Sequence, residues 1–465
     1  MARLMRCLYC GVLQDEPAGA KVCIRCGGEL VFETGLLPDE RDSYVRAQME
    51  LDQVMGPAGE NVERHLLVTL RTPAQVPPGQ AASVQGSHPP IHFTAVLDTS
   101  GSMAGDKLQN AKNALRNALM RLLDGDSLSL ITFDSQVRCP LEPTPVNDHS
   151  RAVLNSLLQE IRAGSNTALC GGLELGIRKA LGRKRDTNLI LLLSDGLANE
   201  GETDTDRIAQ RAREARVKGL TVSTLGVGDD YNEVLMVALA DQGGGHFYHV
   251  QEAGEIDTYL ATELGDVANA AARRLELHLR VPAGSVLMPF SAAYPLRQDG
   301  SRATLDIGYL PCDTELEVPI SVVVASQQPG TRLAFEGDVT YESPAGHALK
   351  TTLNRVTLRV AEPNQFRERD GVSAPVAERV LQQLRDASVL QYSRTLRQNP
   401  AAAQADATVR MNKLRAYAAL LGDERKEQEL EQDRNQFAAV ASPTPSLSKL
   451  AFAATYSRQR RTRQQ

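Results

Sequence analysis

One stretch decides the fold of this chain: Ala95-Val96-Leu97-Asp98-Thr99-Ser100-Gly101-Ser102-Met103. Residues 91–97, which overlap the start of this stretch, form a short run that is mostly apolar and β-prone. This pattern predicts a buried central strand. This strand ends on a carboxylate and two hydroxyls in the pattern D-x-S-x-S. Such oxygens suit a small hard cation such as Mg²⁺. The same residue types also form ordinary turns and helix caps, so this stretch alone leaves both interpretations open.

The sequence around this stretch alternates between apolar runs and helical patterns. Strands are predicted at 91–97, 127–133, 188–193, 220–227 and 245–250, with amphipathic helices between them. This alternation is typical of an α/β fold with a doubly wound, mainly parallel sheet. Ligands of such sheets bind at the carboxyl ends of the strands. Asp98 and Asp195 each follow a predicted strand, so we expect both at that edge.

Five polar residues carry a resemblance to a known family. The pattern comprises Asp98, Ser100 and Ser102, then Thr167 within Gly-Ser-Asn-Thr-Ala-Leu, then Asp195 within Leu-Leu-Leu-Ser-Asp-Gly. It resembles the metal-ion-dependent adhesion site of a von Willebrand factor A (VWA) domain, which would span residues 90–273. Taken singly, Thr167 is also a possible helix N-cap and Asp195 a possible turn former.

The resemblance implies a role for each of these residues. Ser100 and Ser102 would bind Mg²⁺ or Mn²⁺ directly, and Thr167 would do so in the ligand-engaged state. Asp98 and Asp195 would act through water and through hydrogen bonds to the hydroxyls. A cation whose direct ligands are neutral keeps much of its charge. It would therefore attract an Asp or Glu carboxylate from a partner protein.

Four cysteines near the N-terminus predict a second metal site. They form two Cys-x-x-Cys pairs separated by 12 residues, namely Cys7, Cys10, Cys23 and Cys26. Four thiolates at this spacing can close tetrahedrally on Zn²⁺ and leave no open position, which indicates a structural zinc ribbon within residues 1–30. The other three cysteines are scattered, which favours reduced thiols over a disulfide framework.

The rest of the chain divides by pattern. We predict a linker at 31–60 with a helical patch at 41–55, a strand and loop at 61–89 belonging to a β-sandwich, the sandwich itself at 274–362, a helical bundle at 372–437 and a disordered basic tail at 438–465. If strand 65–71 pairs into the sandwich, the α/β domain is an insertion within it.

Composition bears on the class of function. The 465 residues carry a net charge of −6, which argues against a general nucleic-acid-binding surface. The sequence has no apolar run long enough to cross a membrane and no apolar signal core at its start, so we expect a cytoplasmic protein. It also lacks the Walker-type phosphate loop, the dinucleotide fingerprint and common hydrolase motifs.

These observations predict a non-enzymatic scaffold protein that binds a partner's carboxylate through a metal ion. Bacterial proteins that look similar act with AAA+ ATPases or with Ser/Thr kinase and phosphatase modules, so such a partner is an expectation from resemblance. One alternative is an accessory subunit of such an ATPase or signalling assembly. Another is a nucleic-acid-associated zinc-ribbon protein that uses the Arg-rich tail, whose affinity would fall steeply with salt.

Overall fold

The computed structural model describes residues 4–6, 13–15, 42–80, 88–183, 185, 187–195, 197–421, 426–441, 445–460 and 462–463. The cysteines predicted to bind zinc, Cys7, Cys10, Cys23 and Cys26, lie outside the described residues. The zinc ribbon therefore stays a prediction.

Five strands precede the α/β unit: β1 (Leu4–Arg6), β2 (Leu13–Asp15), β3 (Arg46–Leu51), β4 (Met55–Pro57) and β5 (Val62–Arg71). The helical patch predicted at 41–55 is wrong, and so is the linker for residues 46–57, because β3 and β4 pair into sheets. Met49 and Leu51 point to one buried face with the period of a strand. Pairing of β3 with β5 outweighs the helical preference of Ala, Gln, Met, Glu and Leu in this segment.

Within its described residues, the α/β unit contains six strands and six α-helices, which alternate except that β8 follows β7 and α3 follows α2: β6 (Ile91–Asp98), α1 (Asp106–Arg121), β7 (Ser127–Phe133), β8 (Val137–Pro145), α2 (Asp148–Glu160), α3 (Leu169–Gly182), β9 (Thr187–Ser194), α4 (Thr205–Val217), β10 (Thr221–Val227), α5 (Glu233–Gly243), β11 (Gly244–Val250) and α6 (Ile256–Ala268). The strand order is β11-β10-β9-β6-β7-β8. All neighbours are parallel except β8, which is antiparallel to β7. The predicted α/β fold with a mainly parallel sheet is confirmed.

Strand β6 lies at the centre of this sheet and is covered on both faces. All eight of its residues are buried. Its odd-numbered apolar residues belong to a core with α1, α2 and α6, whereas Val96 belongs to a core with α3, α4 and α5. The chain runs from β6 to β7 on one side and later to β9 on the other. The carboxyl ends of β6 and β9 therefore meet at a topological switch point, where open α/β sheets bind ligands.

Eight further strands follow: β12 (Ala270–Arg280), β13 (Val286–Pro289), β14 (Leu296–Asp299), β15 (Arg302–Pro311), β16 (Thr314–Val324), β17 (Arg332–Glu342), β18 (Ala348–Thr352) and β19 (Val356–Ala361). One sheet has the order β14-β15-β12-β17-β19-β4 with β18 beside β17, and another has β13-β16-β5-β3. Both contribute to one apolar core. Strand β5 pairs with β16 along ten residue pairs, so the α/β unit lies in the chain between two strands of this two-sheet unit.

Near the end of the predicted sandwich, the chain divides into the two strands β18 and β19. The reason is a contact of Asn354 with the backbone of Met49. The side-chain oxygen Oδ1 of Asn354 accepts from the Met49 N–H at 2.8 Å, and its side-chain Nδ2 donates to the Met49 carbonyl at 2.8 Å. This pairing fastens the turn between β18 and β19 to β3.

The C-terminal part is helical: α7 (Ala374–Gln398), α8 (Pro400–Ala418), α9 (Lys426–Val440) and α10 (Pro445–Arg460), followed by the two-residue strand β20 (Thr462–Arg463) on β16. A buried ion pair between Arg385 and Asp433, at 2.6 Å, joins α7 to α9. None of the helices within the described residues is both long and apolar enough to span a membrane.

A disordered tail was predicted at 438–465, and helix α10 shows this to be wrong for residues 445–460. Phe452 and Tyr456, one helical turn apart, are buried in the core of the α/β unit, where both rings contact Phe247 of β11. Lys449 is buried beside them, donates to the Tyr231 carbonyl at 2.6 Å and lies over the Tyr231 ring. These tertiary contacts order a segment whose Ala- and Ser-rich composition suggests none.

Replacing Phe452 tests how far α10 belongs to the α/β unit. We expect Phe452→Ala to lower the free energy of unfolding by about 3–5 kcal/mol, because it leaves a cavity in that core. Leu450→Ala on the same helix is the control and should change it by less than about 0.5 kcal/mol, since Leu450 is 37% exposed. Thermal or denaturant unfolding measures both, and equal small effects would contradict the packing of α10.

Candidate functional site

The two strand ends that carry predicted site residues are neighbours. Strands β6 and β9 are parallel and in register, with Leu97 opposite Leu193. Their next polar residues, Asp98 and the pair Ser194–Asp195, are therefore at the same edge of the sheet. This arrangement follows from the parallel pairing, because both strands run toward that edge.

Asp98 is fully buried and has a partner for each carboxylate oxygen. Its Oδ1 accepts the backbone N–H of Ser100 at 2.8 Å, and its Oδ2 accepts the Ser194 hydroxyl at 2.5 Å. Burial raises the pKa of Asp98, hydrogen bonds from Ser100 and Ser194 oppose this, and the nearby charge of Asp195 adds to the increase. Ser194 was not among the predicted site residues, although it directly precedes Asp195.

The two serines of the D-x-S-x-S pattern meet at their hydroxyls. Ser100 Oγ and Ser102 Oγ are 3.1 Å apart. The Ser102 hydroxyl donates to Asp195 Oδ1 at 2.7 Å, which links β6 to β9 through side chains. A short 3₁₀ turn at Gly101–Met103 brings them together, and the fully buried Met103 side chain anchors that turn.

Asp195 has a second partner that the sequence analysis missed. Its Oδ2 accepts from Lys107 Nζ at 2.5 Å, and the Asp195 side chain is fully buried. Lys107 is the second residue of α1, which begins directly after the D-x-S-x-S turn. That position is the signal that could have identified it.

Thr167 lies on the loop beside this turn. Two backbone hydrogen bonds hold the loops together, from the Gly101 N–H to the Ser165 carbonyl at 3.0 Å and from the Gly164 N–H to the Thr99 carbonyl at 2.6 Å. Thr167 does not cap α3, because the N-cap residue is Ala168. The structure therefore brings Asp98, Ser100, Ser102 and Asp195 into one hydrogen-bonded group, with Thr167 on the adjacent loop.

Asn199 fixes the position of Thr167. Its side-chain oxygen accepts the Thr167 N–H at 2.8 Å, and its own N–H donates to the Thr167 carbonyl at 3.3 Å. Thr167 is thus tied to the segment that follows Asp195. Asn199 was not predicted from the sequence, since an Asn in a loop is common and its spacing to the other site residues follows no motif.

The group offers oxygen donors of two kinds, neutral hydroxyls and buried carboxylates. Among the described residues, no three His, Cys, Asp or Glu side chains are grouped to hold a metal ion. A cation at this edge would therefore depend on the hydroxyls of Ser100, Ser102 and Thr167, with two carboxylates nearby. Such an all-oxygen set fits a small hard divalent cation and not a soft metal that prefers thiolates.

The nearest histidine in the sequence is His92, within β6. Its ring is buried and contacts the hydroxyls of Ser127, at 2.7 Å, and Thr94, at 3.2 Å. Burial, with the positive charges of Arg183 and Arg185, lowers the pKa of His92 to about 4. His92 is therefore neutral at pH 7 and serves the packing of the sheet.

Comparison with known proteins finds a match between this unit and the model of a recognised family. Residues 93–262 match the family model described as von Willebrand factor type A domain. An uncharacterized protein of Synechocystis, sll0103, is 27% identical over 288 residues, which cover 60% of this chain and 67% of that protein. The inter-alpha-trypsin inhibitor heavy chain H3 of Rattus norvegicus is 28% identical over 221 residues, which cover 46% of this chain.

The chain matches small parts of two of these curated relatives. The match spans 25% of the rat heavy chain and 34% of the uncharacterized Escherichia coli protein YfbK, which is 29% identical over 197 residues, or 41% of this chain. The remaining parts of those two proteins are not aligned with this chain.

Two solved structures share the fold over most of the chain. A von Willebrand factor type A protein from Catenulispora acidiphila superposes with a TM-score of 0.64, at 17% identity, and covers 91% of this chain and 98% of its own. The ArnB paralog VWA2 from Sulfolobus acidocaldarius gives 0.60, at 17% identity, with 90% and 99% covered. At these identities the likeness concerns the fold alone.

Gly164 tests the close approach of two loops, the one that carries Thr167 and the one that joins β7 to β8. A Cβ at Gly164 would lie 2.2 Å from Asp134 Oδ2, and this carboxylate is engaged with the Gln136 N–H at 2.6 Å and with Arg138 at 3.3 Å. We expect Gly164→Ala to lower the free energy of unfolding by about 1–3 kcal/mol through overpacking.

Gly265→Ala on α6 is the matched control, because nothing lies within 4 Å of its added Cβ. It should be neutral or raise the free energy of unfolding by up to about 1 kcal/mol, as Ala favours a helix over Gly. Thermal unfolding compares the two variants. A Gly164→Ala protein as stable as the control would mean that the loops are less closely packed than described.

Proposed function

We propose that the von Willebrand factor type A domain at residues 93–262 binds Mg²⁺ or Mn²⁺ and, through this cation, a carboxylate of a partner protein. One observation carries the proposal: the Ser100 and Ser102 hydroxyls meet at 3.1 Å beside two buried carboxylates, where β6 and β9 end. Buried carboxylates are costly, and a nearby cation would offset that cost.

Each residue has a distinct part in this proposal. Ser100 and Ser102 hold the cation through their hydroxyls, and Thr167 adds a third from the adjacent loop. Asp195 orients the Ser102 hydroxyl by accepting its proton, and Asp98 fixes the Ser100 backbone. The bound cation supplies a positive charge that is only partly neutralised, and this charge attracts an Asp or Glu side chain of the partner. The site is a recognition device, and the protein acts without catalysis.

The family match supports this proposal. VWA domains commonly bind a divalent metal at this position and mediate protein–protein interaction. The first relatives are named as uncharacterized proteins, and further ones as inter-alpha-trypsin inhibitor heavy chains. We define the partner of this chain by its chemistry only: a protein surface that presents an acidic side chain.

Direct metal binding tests the first half of the proposal. We expect Ser102→Ala to weaken Mn²⁺ binding by at least about tenfold, because it removes one direct ligand, and Asp98→Ala to abolish it. Electron paramagnetic resonance of free Mn²⁺ during titration of the zinc-loaded protein measures the affinity. Ser156→Ala, on the exposed side of α2, is the control and should bind like wild type. Unchanged Mn²⁺ affinity in Ser102→Ala and Asp98→Ala would refute the site.

Partner capture tests the second half. Wild type and Ser102→Ala are immobilised and exposed to cell extract in Mg²⁺-containing buffer, and the retained proteins are identified by mass spectrometry. We expect partners that wild type retains and the variant loses. The variant is a cleaner comparison than chelation, because a chelator also removes zinc. Identical sets of partners would show that no metal bridge is involved.

We further propose that Cys7, Cys10, Cys23 and Cys26 bind one structural Zn²⁺, on the basis of their spacing alone. Elemental analysis of purified protein should find about one zinc per chain in wild type and close to none in Cys7→Ser. Cys139→Ser is the control, since Cys139 is a free cysteine far from this motif in sequence. Equal zinc content in the two variants would contradict the Cys₄ site.

A further inference from the structure

The ion pair between Lys107 and Asp195 introduces a fixed cation into the candidate metal site. The Lys107 ammonium lies 2.5 Å from Asp195 Oδ2, while Ser102 donates to Oδ1 of the same carboxylate at 2.7 Å. Both oxygens of Asp195 are therefore occupied by donors. The carboxylate is fully buried, whereas the Lys107 side chain is 28% exposed.

The Lys107 ammonium lies between this carboxylate and the loop after β10. Lys107 belongs to the first turn of α1, where the helix dipole favours negative side chains and gives a lysine no stabilisation. On its other side is Gly228, in the loop after β10, with a φ of +75°. A Cβ added to Gly228 would lie 3.5 Å from both Cε and Nζ of Lys107, so the loop borders the ammonium closely.

The charge of the site depends on this lysine. With Asp98 and Asp195 ionised and Lys107 protonated, these side chains carry one net negative charge before a divalent cation binds and one net positive charge afterwards. Without Lys107 the corresponding charges would be two negative and then zero. Because like charges repel and unlike charges attract, this single side chain affects cation binding and anion binding in opposite directions.

We propose that Lys107 is a positioning residue that sets the electrostatics of the site, weakening its affinity for the divalent cation and strengthening the attraction of the loaded site for an acidic ligand. The proposal rests on the metal-dependent function proposed above. With Lys107 present, the site binds its cation tightly only when the partner's carboxylate also coordinates that cation. Lys107 therefore couples metal occupancy to partner binding.

The test compares Lys107→Met, which removes the charge and keeps the length of the chain, with Lys107→Arg, which keeps the charge. Two affinities are measured for each variant. The first is the affinity of the protein for Mn²⁺. The second is the affinity of the Mn²⁺-loaded protein for acetate, which is monitored through the relaxation of water protons by the bound Mn²⁺. We expect Lys107→Met to bind Mn²⁺ roughly tenfold more tightly and acetate several-fold more weakly. Lys107→Arg should resemble wild type in both measurements.

Lys179→Met is the matched control. Lys179 lies on α3 and pairs with Glu142 at 2.6 Å, away from the site, so its replacement should change neither affinity. Thermal unfolding of each variant identifies any loss of structure. If Lys107→Met does not fold, Lys107→Gln replaces it, with the same expected directions.

The outcomes separate this inference from the proposed function. If Lys107→Met leaves both affinities unchanged, or weakens Mn²⁺ binding, while Ser102→Ala still lowers Mn²⁺ affinity, Lys107 is only a structural brace for Asp195 and the inference is wrong. The proposed function is wrong if wild type, Ser102→Ala and Asp98→Ala bind Mn²⁺ equally, or if none of them binds it. The inference about Lys107 is then wrong as well, because it rests on that function. Tighter Mn²⁺ binding with weaker acetate binding in Lys107→Met, rescued by Lys107→Arg, establishes it.

Discussion

The parallel pairing of β6 with β9 is the constraint on which the site depends. It places Asp98 and Asp195, far apart in sequence, at one edge of the sheet, where each is buried and each accepts hydrogen bonds on both oxygens. The two strands are themselves held by cores on both faces of the sheet. A buried carboxylate is tolerated only with partners, so the serine hydroxyls and Lys107 are as necessary to this edge as the acids.

The α/β unit and the two-sheet unit are joined by polar contacts in addition to the chain connections between them. Arg216 of α4 is 9% exposed in its side chain and donates to the Asp306 carboxylate at 2.8 Å and to the Ala293 carbonyl at 2.9 Å. On α6, the buried Glu263 accepts from Tyr309 of β15 at 3.3 Å and from Tyr248 at 2.6 Å. These hydrogen bonds add partners from the two-sheet unit to buried charged groups of the α/β unit, which favours one fixed arrangement of the two units.

The parts of the molecule that local patterns encode were predictable, and the parts that depend on distant contacts were not. The α/β alternation follows from hydrophobic periodicity. The four hydrogen-bonded site residues follow from polar residues at strand ends. Lys107 was missed because a lysine in the first turn of a helix ordinarily lies in solvent, and its partner is 88 positions away. Strand β3 was predicted as helix because its residues have a high intrinsic helix propensity. Burial of Met49 and Leu51 in the core of the two-sheet unit outweighs that propensity.

Helix α10 has a consequence for how the protein is made. Phe452 and Tyr456 complete a core most of whose other members are translated much earlier, since the α/β unit proper ends with α6 at Ala268. On the ribosome, this unit has all its strands while the apolar face around Phe247 is still uncovered. That face is covered only once α10 has been made, so the α/β unit cannot complete its core before the helical region has emerged.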